Sequence, residues 1–417
     1  MPRKIAEKKI NDALTELEKV RKDWLKRDGV TAVDVGYKIS EGEITNDLAI
    51  RVHVERKKHP DELRKHETFN LSGGAPEKTG GGFDIDVLEA DYAPALPAVA
   101  EDDLPPLGPE VIGPESVNRK GRLNPLVGGV SVANARVSAG TLGAIVWDRE
   151  DCQVCILSNW HVLCGSRDCE VGESILQPGK FDGGRPSDKV AELKRWRLDK
   201  DADAALANLT GARGSSRDIL EWEPIKGVET PKLGMKVIKS GRTTGLTEGI
   251  IDGVGLSTRL NYGGGTVQSF RNQIHIVPRP PWPKEDYEVS KGGDSGSVWI
   301  NEDTGMAVGL HFAGETDPSP TAEHAVANRM VDVARALNFS FTPLFCRTPT
   351  NGGDVGRPRR DNNRLRAILR AFLRLFRRRL GSGAQALSAD AFGAGSSMED
   401  EEMEALIDML IEEINNS

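Results

Sequence analysis

The middle of the chain, residues 126–341, consists of short runs of β-branched and apolar residues divided by glycine-rich turns. Nine of these runs have no helical pattern between them: 128–132, 143–147, 154–158, 204–209, 236–239, 249–254, 273–277, 296–300 and 306–312. Strands at this spacing without intervening helices are typical of an antiparallel sandwich or barrel. Residues 331–337 then predict a closing helix. The sequence therefore predicts a mainly β fold.

The composition agrees with this prediction. The 417 residues suffice for two or three domains, and 45 glycines with 23 prolines indicate many turns and linkers. Aromatic residues make up only 5% of the chain, which fits a turn-rich β domain joined to polar segments. The net charge of −8 argues against a general nucleic-acid binder.

Residues 1–92 predict a small α+β accessory domain. Apolar residues recur at helical spacing from Ile5 to Leu25, and the helix is expected to end near Asp28 and Gly29. We interpret it as packing on its own domain, with an oligomer contact as the alternative. The runs 32–39 and 48–54 predict a hairpin, and 83–88 a third strand.

Linkers and a charged tail flank the β-rich domain of residues 126–345. Residues 93–125 and 346–362 are predicted linkers, the first of them rich in proline and glycine. Residues 363–417 predict a basic amphipathic helix, a small-residue tether and an acidic amphipathic helix. The basic helix is interpreted as pairing with the acidic one or self-associating, with contact to an anionic membrane or nucleic acid as alternatives. The acidic helix could dock on a partner protein, and the tail could inhibit activity.

The stretch 291–298, Lys-Gly-Gly-Asp-Ser-Gly-Ser-Val, places Ser295 between glycines just before a strand-like run. A serine hydroxyl is a poor nucleophile unless a base and an orienting acid lie beside it. His161, at the end of the run 154–158, is the candidate base. Asp203, a single acid at the start of an apolar strand, is the candidate orienter, and it would fix the imidazole tautomer and stabilise the imidazolium. Asp201 is its rival.

Three elements in the order His, Asp, Ser resemble those of the chymotrypsin-like (trypsin-fold) serine proteases. The closer resemblance is to bacterial trypsin-like peptidases related to the plant narrow-leaf protein, and it covers about three quarters of the chain. The matching segments are 158–162 (Ser-Asn-Trp-His-Val), 203–206 (Asp-Ala-Ala-Leu), 293–297 (Gly-Asp-Ser-Gly-Ser), 139–143, 175–179, 182–184, 240–247 and the N-terminal hairpin.

This resemblance implies a chymotrypsin-like double β-barrel with the site in the cleft between the barrels. His161 would act as general base and then acid, Asp203 as its orienter and Ser295 as the nucleophile. The backbone N–H groups of Gly293 and Ser295 would form the oxyanion hole. Such donors typically contribute roughly 10²–10³ in rate each.

The resemblance also implies a primary specificity pocket, with Val289 at its base and Ser290 beside it. The strand carrying His311, Phe312, Ala313 and Gly314 would form its wall. Since Val289 is not an aspartate, a preference for Lys or Arg is not expected. The run Gly-Leu-His-Phe-Ala-Gly resembles the strand of glutamyl endopeptidases, which suggests that His311 and Ser290 bind a Glu before the cleaved bond. The alternative is a pocket for small apolar residues.

The five cysteines do not form an even-numbered disulfide framework. Free thiols are the main interpretation, with a structural zinc or a disulfide among Cys152, Cys164 and Cys169 as alternatives.

With no apolar signal-peptide core in residues 1–27, a reducing, cytoplasmic location is expected. The run 126–129 is similar to the N-terminus that animal trypsins expose on activation, with Arg122 nearby, but we interpret it as the first strand.

Taken together, the sequence predicts an intracellular serine endopeptidase acting on a protein or peptide substrate. No metal or organic cofactor is expected. A homo-oligomer and dedication to one specific partner protein are further expectations. The alternative is a catalytically silent peptide-binding or scaffold protein that keeps the protease fold.

Overall fold

Antiparallel sheets dominate the part of the chain that the structure, a computed structural model, describes. The described residues are 2–40, 43–58, 62, 69, 82–94, 118–280, 287–315 and 323–344, and they belong to one compact unit. The predicted tail helices of residues 363–417 and most of both predicted linkers lie outside them. Among the described helices none is long and apolar enough to cross a bilayer.

The described residues between 2 and 94 form one helix and four strands. They are α1 (Glu7–Trp24), β1 (Val30–Ser40), β2 (Glu43–Val54), β3 (Asp84–Glu89) and β4 (Tyr92–Pro94). The face of α1 that carries Ala13, Leu17 and Trp24 is buried against the apolar side of β1 and β2. The helical spacing of these residues makes this face continuous, so the helix packs within its own unit.

The next segment supplies the first of two large sheets. Its elements are β5 (Leu126–Gly128), β6 (Val130–Asn134), β7 (Gly140–Leu142), β8 (Ala144–Asp148), β9 (Val154–Ser158), α2 (Trp160–Leu163), β10 (Ser174–Leu176), β11 (Lys189–Leu198), β12 (Asp203–Leu209) and β13 (Ser215–Ile219). The eight-stranded sheet has the order β20-β8-β9-β12-β11-β10-β6-β7, where β20 comes from the end of the described chain (Phe339–Ser340). β5 pairs with β13 in a separate parallel ribbon.

The last segment builds the second sheet. Its elements are β14 (Lys236–Gly241), β15 (Gly245–Asn261), β16 (Val267–Pro278), β17 (Val298–Asn301), β18 (Ala307–Glu315), β19 (Ala325–Arg329), α3 (Met330–Leu337) and β20. The order is β14-β17-β18-β19-β16-β15, and β14 also pairs with β15, so these six antiparallel strands close into a barrel. α3 confirms the expected closing helix.

The prediction of a mainly β, chymotrypsin-like fold is therefore confirmed. The N-terminal segment is joined to the second barrel, because β1 pairs antiparallel with β15, with Ala32 opposite Thr258. β1 and β2 form the expected hairpin, and β3 adds to β2 in parallel. A single ten-stranded sheet thus contains the described strands of residues 1–94 and the barrel strands β14–β19.

Candidate active site

His161 lies in α2, the single helical turn that follows β9. All four residues of this turn are buried, and the His161 side chain is only 2% exposed. The turn is held to β12 by the Asn159 side-chain amide, which donates to the Asp203 carbonyl oxygen at 2.7 Å. The imidazole is thereby fixed at the edge of the first sheet.

Asp203 begins β12 and contacts His161 twice. Its Oδ2 lies 2.5 Å from His161 Nδ1, and its Oδ1 accepts from the His161 backbone N–H at 3.3 Å. A carboxylate at Nδ1 holds the neutral ring as the Nδ1–H tautomer, which leaves Nε2 as the acceptor. Asp201, the rival, has a 44% exposed side chain that pairs with Lys200 instead.

Tyr262 is a third member of this group that the sequence analysis missed. It follows β15 in the turn before β16, and its hydroxyl donates to Asp203 Oδ2 at 2.6 Å. Its ring centroid lies 5.6 Å from that of His161. A tyrosine in a turn carries no sequence signal of this role, because the contact joins residues 59 positions apart.

The Ser295 turn packs directly on the strand end that leads to His161. The Thr141 N–H donates to the Ser295 carbonyl at 2.7 Å, and Ser158 Oγ donates to the Thr141 carbonyl at 2.7 Å. Gly296 has a φ of +95°, and a Cβ there would lie 2.1 Å from Ser158 Oγ. The close approach of the two loops therefore requires glycine at 296. Buried His161 Nε2 has no hydrogen-bond partner among the described residues.

The side chain of Asp294 holds the serine turn in place. Its carboxylate is fully buried and accepts from Lys239 Nζ at 3.1 Å, from the Thr244 hydroxyl at 2.6 Å and from the Thr243 and Lys291 N–H groups. Burial raises the pKa of Asp294, but Lys239 and Thr244 outweigh it and lower the pKa to about 2. Asp294 is therefore ionised at neutral pH, and β14 supplies its counter-charge.

Gly293, the predicted oxyanion donor, adopts a conformation that L side chains rarely take. Its φ is +100°, and a Cβ would lie 2.5 Å from Thr243 Oγ1. Its carbonyl accepts from the Thr141 hydroxyl at 2.8 Å, and the neighbouring Gly292 carbonyl accepts from Thr243 Oγ1. These contacts fix the orientation of the peptide planes on either side of Gly293.

The predicted pocket residues lie in two different surroundings. Ser290 lies against Gly314, since a Cβ on Gly314 would be 3.1 Å from Ser290 Oγ. By contrast, Phe312 and Ala313 belong to a buried apolar cluster in which Phe312 packs on Phe270, with ring centroids 4.8 Å apart.

His311 is fully buried beside Trp299, and neither of its ring nitrogens has a partner among the described residues. Burial, followed by the charge of Lys239, lowers the pKa of His311 to about 3. The ring is therefore neutral at physiological pH and carries one N–H donor.

Glu323 is a second group that the sequence analysis missed. Its Oε2 accepts from the N–H of Val289, the predicted pocket base, at 3.2 Å. Burial and the neighbouring Glu288 raise the pKa of Glu323 to about 8. A carboxyl group that is largely protonated at neutral pH therefore lies behind Val289.

The predicted free thiols are confirmed for Cys155, Cys164 and Cys169, which are buried. The prediction is wrong for Cys152, which takes part in a disulfide, and neither Cys164 nor Cys169 is its partner. Burial raises the pKa of Cys155 to about 12 and that of Cys164 further, so these thiols are poor nucleophiles. No three His, Cys, Asp or Glu side chains within the described ranges are grouped so as to hold a metal ion.

Comparison with known proteins gives structural likeness only. No protein-family model and no curated protein matches the sequence. Among solved structures, the chain is similar to Thermobifida fusca protease A (TM-score 0.39, 16% identity, 51% of this chain and 96% of the other) and to a Nocardiopsis protease (0.38, 18%, 51% and 96%). It is also similar to a glutamic-acid-specific serine protease that uses a histidine triad in substrate binding (0.38, 19%, 52% and 99%).

Proposed function

We propose that the chain is a serine endopeptidase in which Ser295 is the nucleophile, His161 the general base and Asp203 its orienter. One observation carries the proposal: a buried imidazole whose Nδ1 is held by Asp203 and whose Nε2 has no partner in the described part of the chain. The Ser295 turn lies against the strand end that carries this imidazole. Ser295 Oγ makes no hydrogen bond to Nε2 in the structure, and Nε2 is the acceptor left for the serine proton once the two atoms come within hydrogen-bond distance.

In the proposed mechanism, Ser295 Oγ attacks the carbonyl carbon of the substrate peptide bond while its proton passes to His161 Nε2. Asp203 stabilises the imidazolium, and the N–H groups of Gly293 and Ser295 bind the oxyanion of the tetrahedral intermediate. When this intermediate collapses, Nε2 gives the proton to the leaving amine, and an acyl-enzyme remains. Water then attacks the ester, Nε2 accepts the water proton and returns it to Ser295, and the new carboxylic acid leaves.

A fluorescent fluorophosphonate tests the proposal, because it reacts with an activated serine without needing a peptide sequence. Purified protein is expected to label, and Ser295→Ala to lose the label entirely. His161→Gln and Asp203→Asn should slow labelling by roughly 10³-fold or more. The matched control is Ser269→Ala, an exposed serine of β16 outside the turn. Labelling that persists in Ser295→Ala would refute the assignment, and absence of labelling in folded protein would favour the non-catalytic peptide-binding alternative.

For specificity, we propose that His311 and Ser290 hydrogen-bond the carboxylate of a Glu that precedes the cleaved bond. The neutral His311 ring has a donor that no described group uses, and Ser290 lies against Gly314 of the same strand β18. The competing preference is for small apolar residues, because Val289 and Phe312 are buried among apolar side chains.

A peptide-library cleavage profile separates these preferences. Enrichment of Glu, lost in His311→Leu, supports the proposal. Enrichment of Lys or Arg would refute the proposal, and enrichment of small apolar residues would mean that His311 only packs in the wall of the pocket. The narrow-leaf relationship, the cytoplasmic location, the homo-oligomer and the dedicated partner on the acidic helix stay predictions.

A further inference from the structure

The Ser295 turn pairs with one edge of strand β18, and the rest of that edge extends beyond the turn. The other edge is covered by β19, with Ala325 opposite Gly314. Along the first edge, β17 pairs as far as Leu310, and the serine turn then takes over: the Gly296 N–H donates to the His311 carbonyl, and the His311 N–H donates to the Ser297 carbonyl, both at 2.9 Å. The next backbone groups on this edge, at residues 313–315, therefore lie immediately beyond the turn.

The chain's own strand β4 covers those three residues. Pro94 lies opposite Ala313, Ala93 opposite Gly314 and Tyr92 opposite Glu315, in antiparallel direction. The Glu315 N–H donates to the His324 carbonyl on the β19 side. Because successive residues of a strand direct their N–H and C=O groups to opposite edges, those of Gly314 face β4 and pair with Ala93. From Tyr92 to Pro94, β4 runs toward the serine turn.

A peptide that presents a bond to Ser295 in extended form would add to this same edge. Extended peptides commonly bind by adding a strand to an exposed sheet edge, with main-chain hydrogen bonds supplying affinity. The residues preceding the cleaved bond would then need the N–H and C=O of Gly314. In the structure those two groups are taken by Ala93, so β4 and a substrate exclude one another.

β4 is fastened at one end. The Tyr92 hydroxyl lies 2.7 Å from His53 Nδ1 and 3.0 Å from His275 Nε2, and the Tyr92 side chain is almost fully buried. The preceding Asp91 N–H donates to Glu315 Oε1 at 3.1 Å. Ala93 and Pro94 are only half-buried. Among the described residues, the side-chain contacts that hold β4 thus lie at its Tyr92 end, away from the serine turn.

We propose that Tyr92–Pro94 is an intramolecular competitor that occupies the β18 edge on which the substrate backbone binds, so that peptide turnover requires its release. The inference rests on the proposed function for its consequence in catalysis. The occupancy itself does not depend on Ser295 being reactive.

The test compares Ala93→Pro, which removes the N–H that pairs with Gly314, with Ala93→Ser, which keeps it. A fluorescein-labelled Asp-Tyr-Ala-Pro amide is titrated into each full-length protein and followed by anisotropy. We expect the Kd for Ala93→Pro to be about tenfold lower than for the wild type and Ala93→Ser. For a peptide substrate with four residues before the cleaved bond, KM should fall about tenfold, with fluorophosphonate labelling changed less than twofold.

Equal peptide binding and equal KM in all three proteins, with normal labelling, would overturn the inference while leaving the proposed function intact. Failure of every protein to label, with tighter peptide binding by Ala93→Pro, would overturn the proposed function and support the occupied edge. If thermal unfolding shows that Ala93→Pro is not folded, Tyr92→Phe provides a second variant. It loses both hydroxyl contacts but keeps the ring, and it should move Kd and KM in the same direction by a smaller factor.

Discussion

At the scale of single residues, the candidate site depends on contacts that hold one carboxylate in place. Asp203 meets His161 Nδ1 on one oxygen and shares that oxygen with the Tyr262 hydroxyl. Both the strand position of Asp203 and the turn position of Tyr262 are needed for this geometry. The orientation of the imidazole is thus set by two parts of the chain that are distant in sequence.

Tyr262→Phe removes the hydroxyl that donates to Asp203 and keeps the ring beside His161. A hydrogen bond to a charged group is worth about 1.5–3 kcal/mol, so the labelling rate and kcat should fall about tenfold or somewhat more, with KM unchanged. Tyr287→Phe is the control, because its hydroxyl contacts only the Glu248 backbone in the described chain. An unchanged labelling rate in Tyr262→Phe would limit Tyr262 to packing.

Gly293→Ala tests the backbone of the oxyanion turn. A φ of +100° and a Cβ 2.5 Å from Thr243 Oγ1 force the turn to shift, so we expect labelling to fall roughly 10²-fold or more. The control is Gly172→Ala, where φ is +93° but a Cβ meets nothing within 4 Å. That variant should lose about 1 kcal/mol of stability with full labelling. Similar labelling by both variants would contradict the assignment.

At the scale of elements, the serine turn is positioned by its attachment to β14 and to the turn that follows it. Lys239 at the centre of β14 and Thr243 and Thr244 beyond its end bind the Asp294 carboxylate. The ion pair is fully buried, so neither partner is screened by water. In this way β14 supplies a fixed cation for Asp294 from within the chain.

Lys239→Met leaves the buried Asp294 carboxylate without its cation. Removing one partner of a buried pair typically costs about 3–5 kcal/mol, and the serine turn should lose its fixed geometry. We expect a corresponding drop in the free energy of unfolding by urea and loss of fluorophosphonate labelling. Lys226→Met, whose exposed partner Glu223 lies 3.9 Å away, is the control and should change neither. Full labelling of Lys239→Met would show that the turn is held by its other contacts.

At the scale of the whole molecule, buried polar residues join the N-terminal hairpin to the second barrel. Arg51 of β2 lies between Asp34 of β1 and Asp252 of β15, with all three side chains fully buried. His53 and His275 extend this group toward Tyr92. Arg51 and Asp252 are 201 residues apart in sequence. Because the buried Arg51 pairs with the barrel through Asp252, the hairpin contributes to the stability of the barrel.

Two buried histidines should therefore make the molecule less stable as the pH falls, already at pH values above those at which carboxylates usually titrate. Burial lowers the pKa of His53 to about 4 and that of His311 to about 3, against 6.5 in the unfolded chain. Between pH 6.5 and 4 the unfolded state binds more protons, so stability falls as pH falls, by up to about 1.4 kcal/mol per unit for each histidine. Asp294, with its lowered pKa of about 2, adds a further loss below about pH 4.

Urea unfolding between pH 7 and 4.5 measures this dependence. The raised pKa of Glu323 opposes this trend over the same range, so the profile is compared in Glu323→Gln, where stability should fall by about 3 kcal/mol or more between pH 7 and 4.5. Adding His311→Gln to that variant removes one titrating histidine and should make the slope shallower. A flat profile in Glu323→Gln would contradict the burial of these histidines in the neutral form.

Features that depend on neighbouring residues could be predicted from the sequence. Alternating β-branched runs predicted most of the barrel strands, and the local patterns around His161, Asp203 and Ser295 identified the candidate site. The strand β11 was missed because its charged residues, such as Lys194 and Arg197, mask the apolar alternation that pairing with β12 completes. Which distant groups meet could not be predicted in this way, because those contacts depend on how the strands pack.

The structure placed Tyr262 on Asp203, Lys239 under Asp294, Glu323 behind Val289 and β4 on the edge of β18. It also joined residues predicted as a separate domain to β15. These contacts link residues far apart in sequence, and their energies depend on burial and register, which no local pattern records. Motifs therefore identified the groups suited to the chemistry, whereas the packing of strands determined what holds those groups and what occupies the edge beside them.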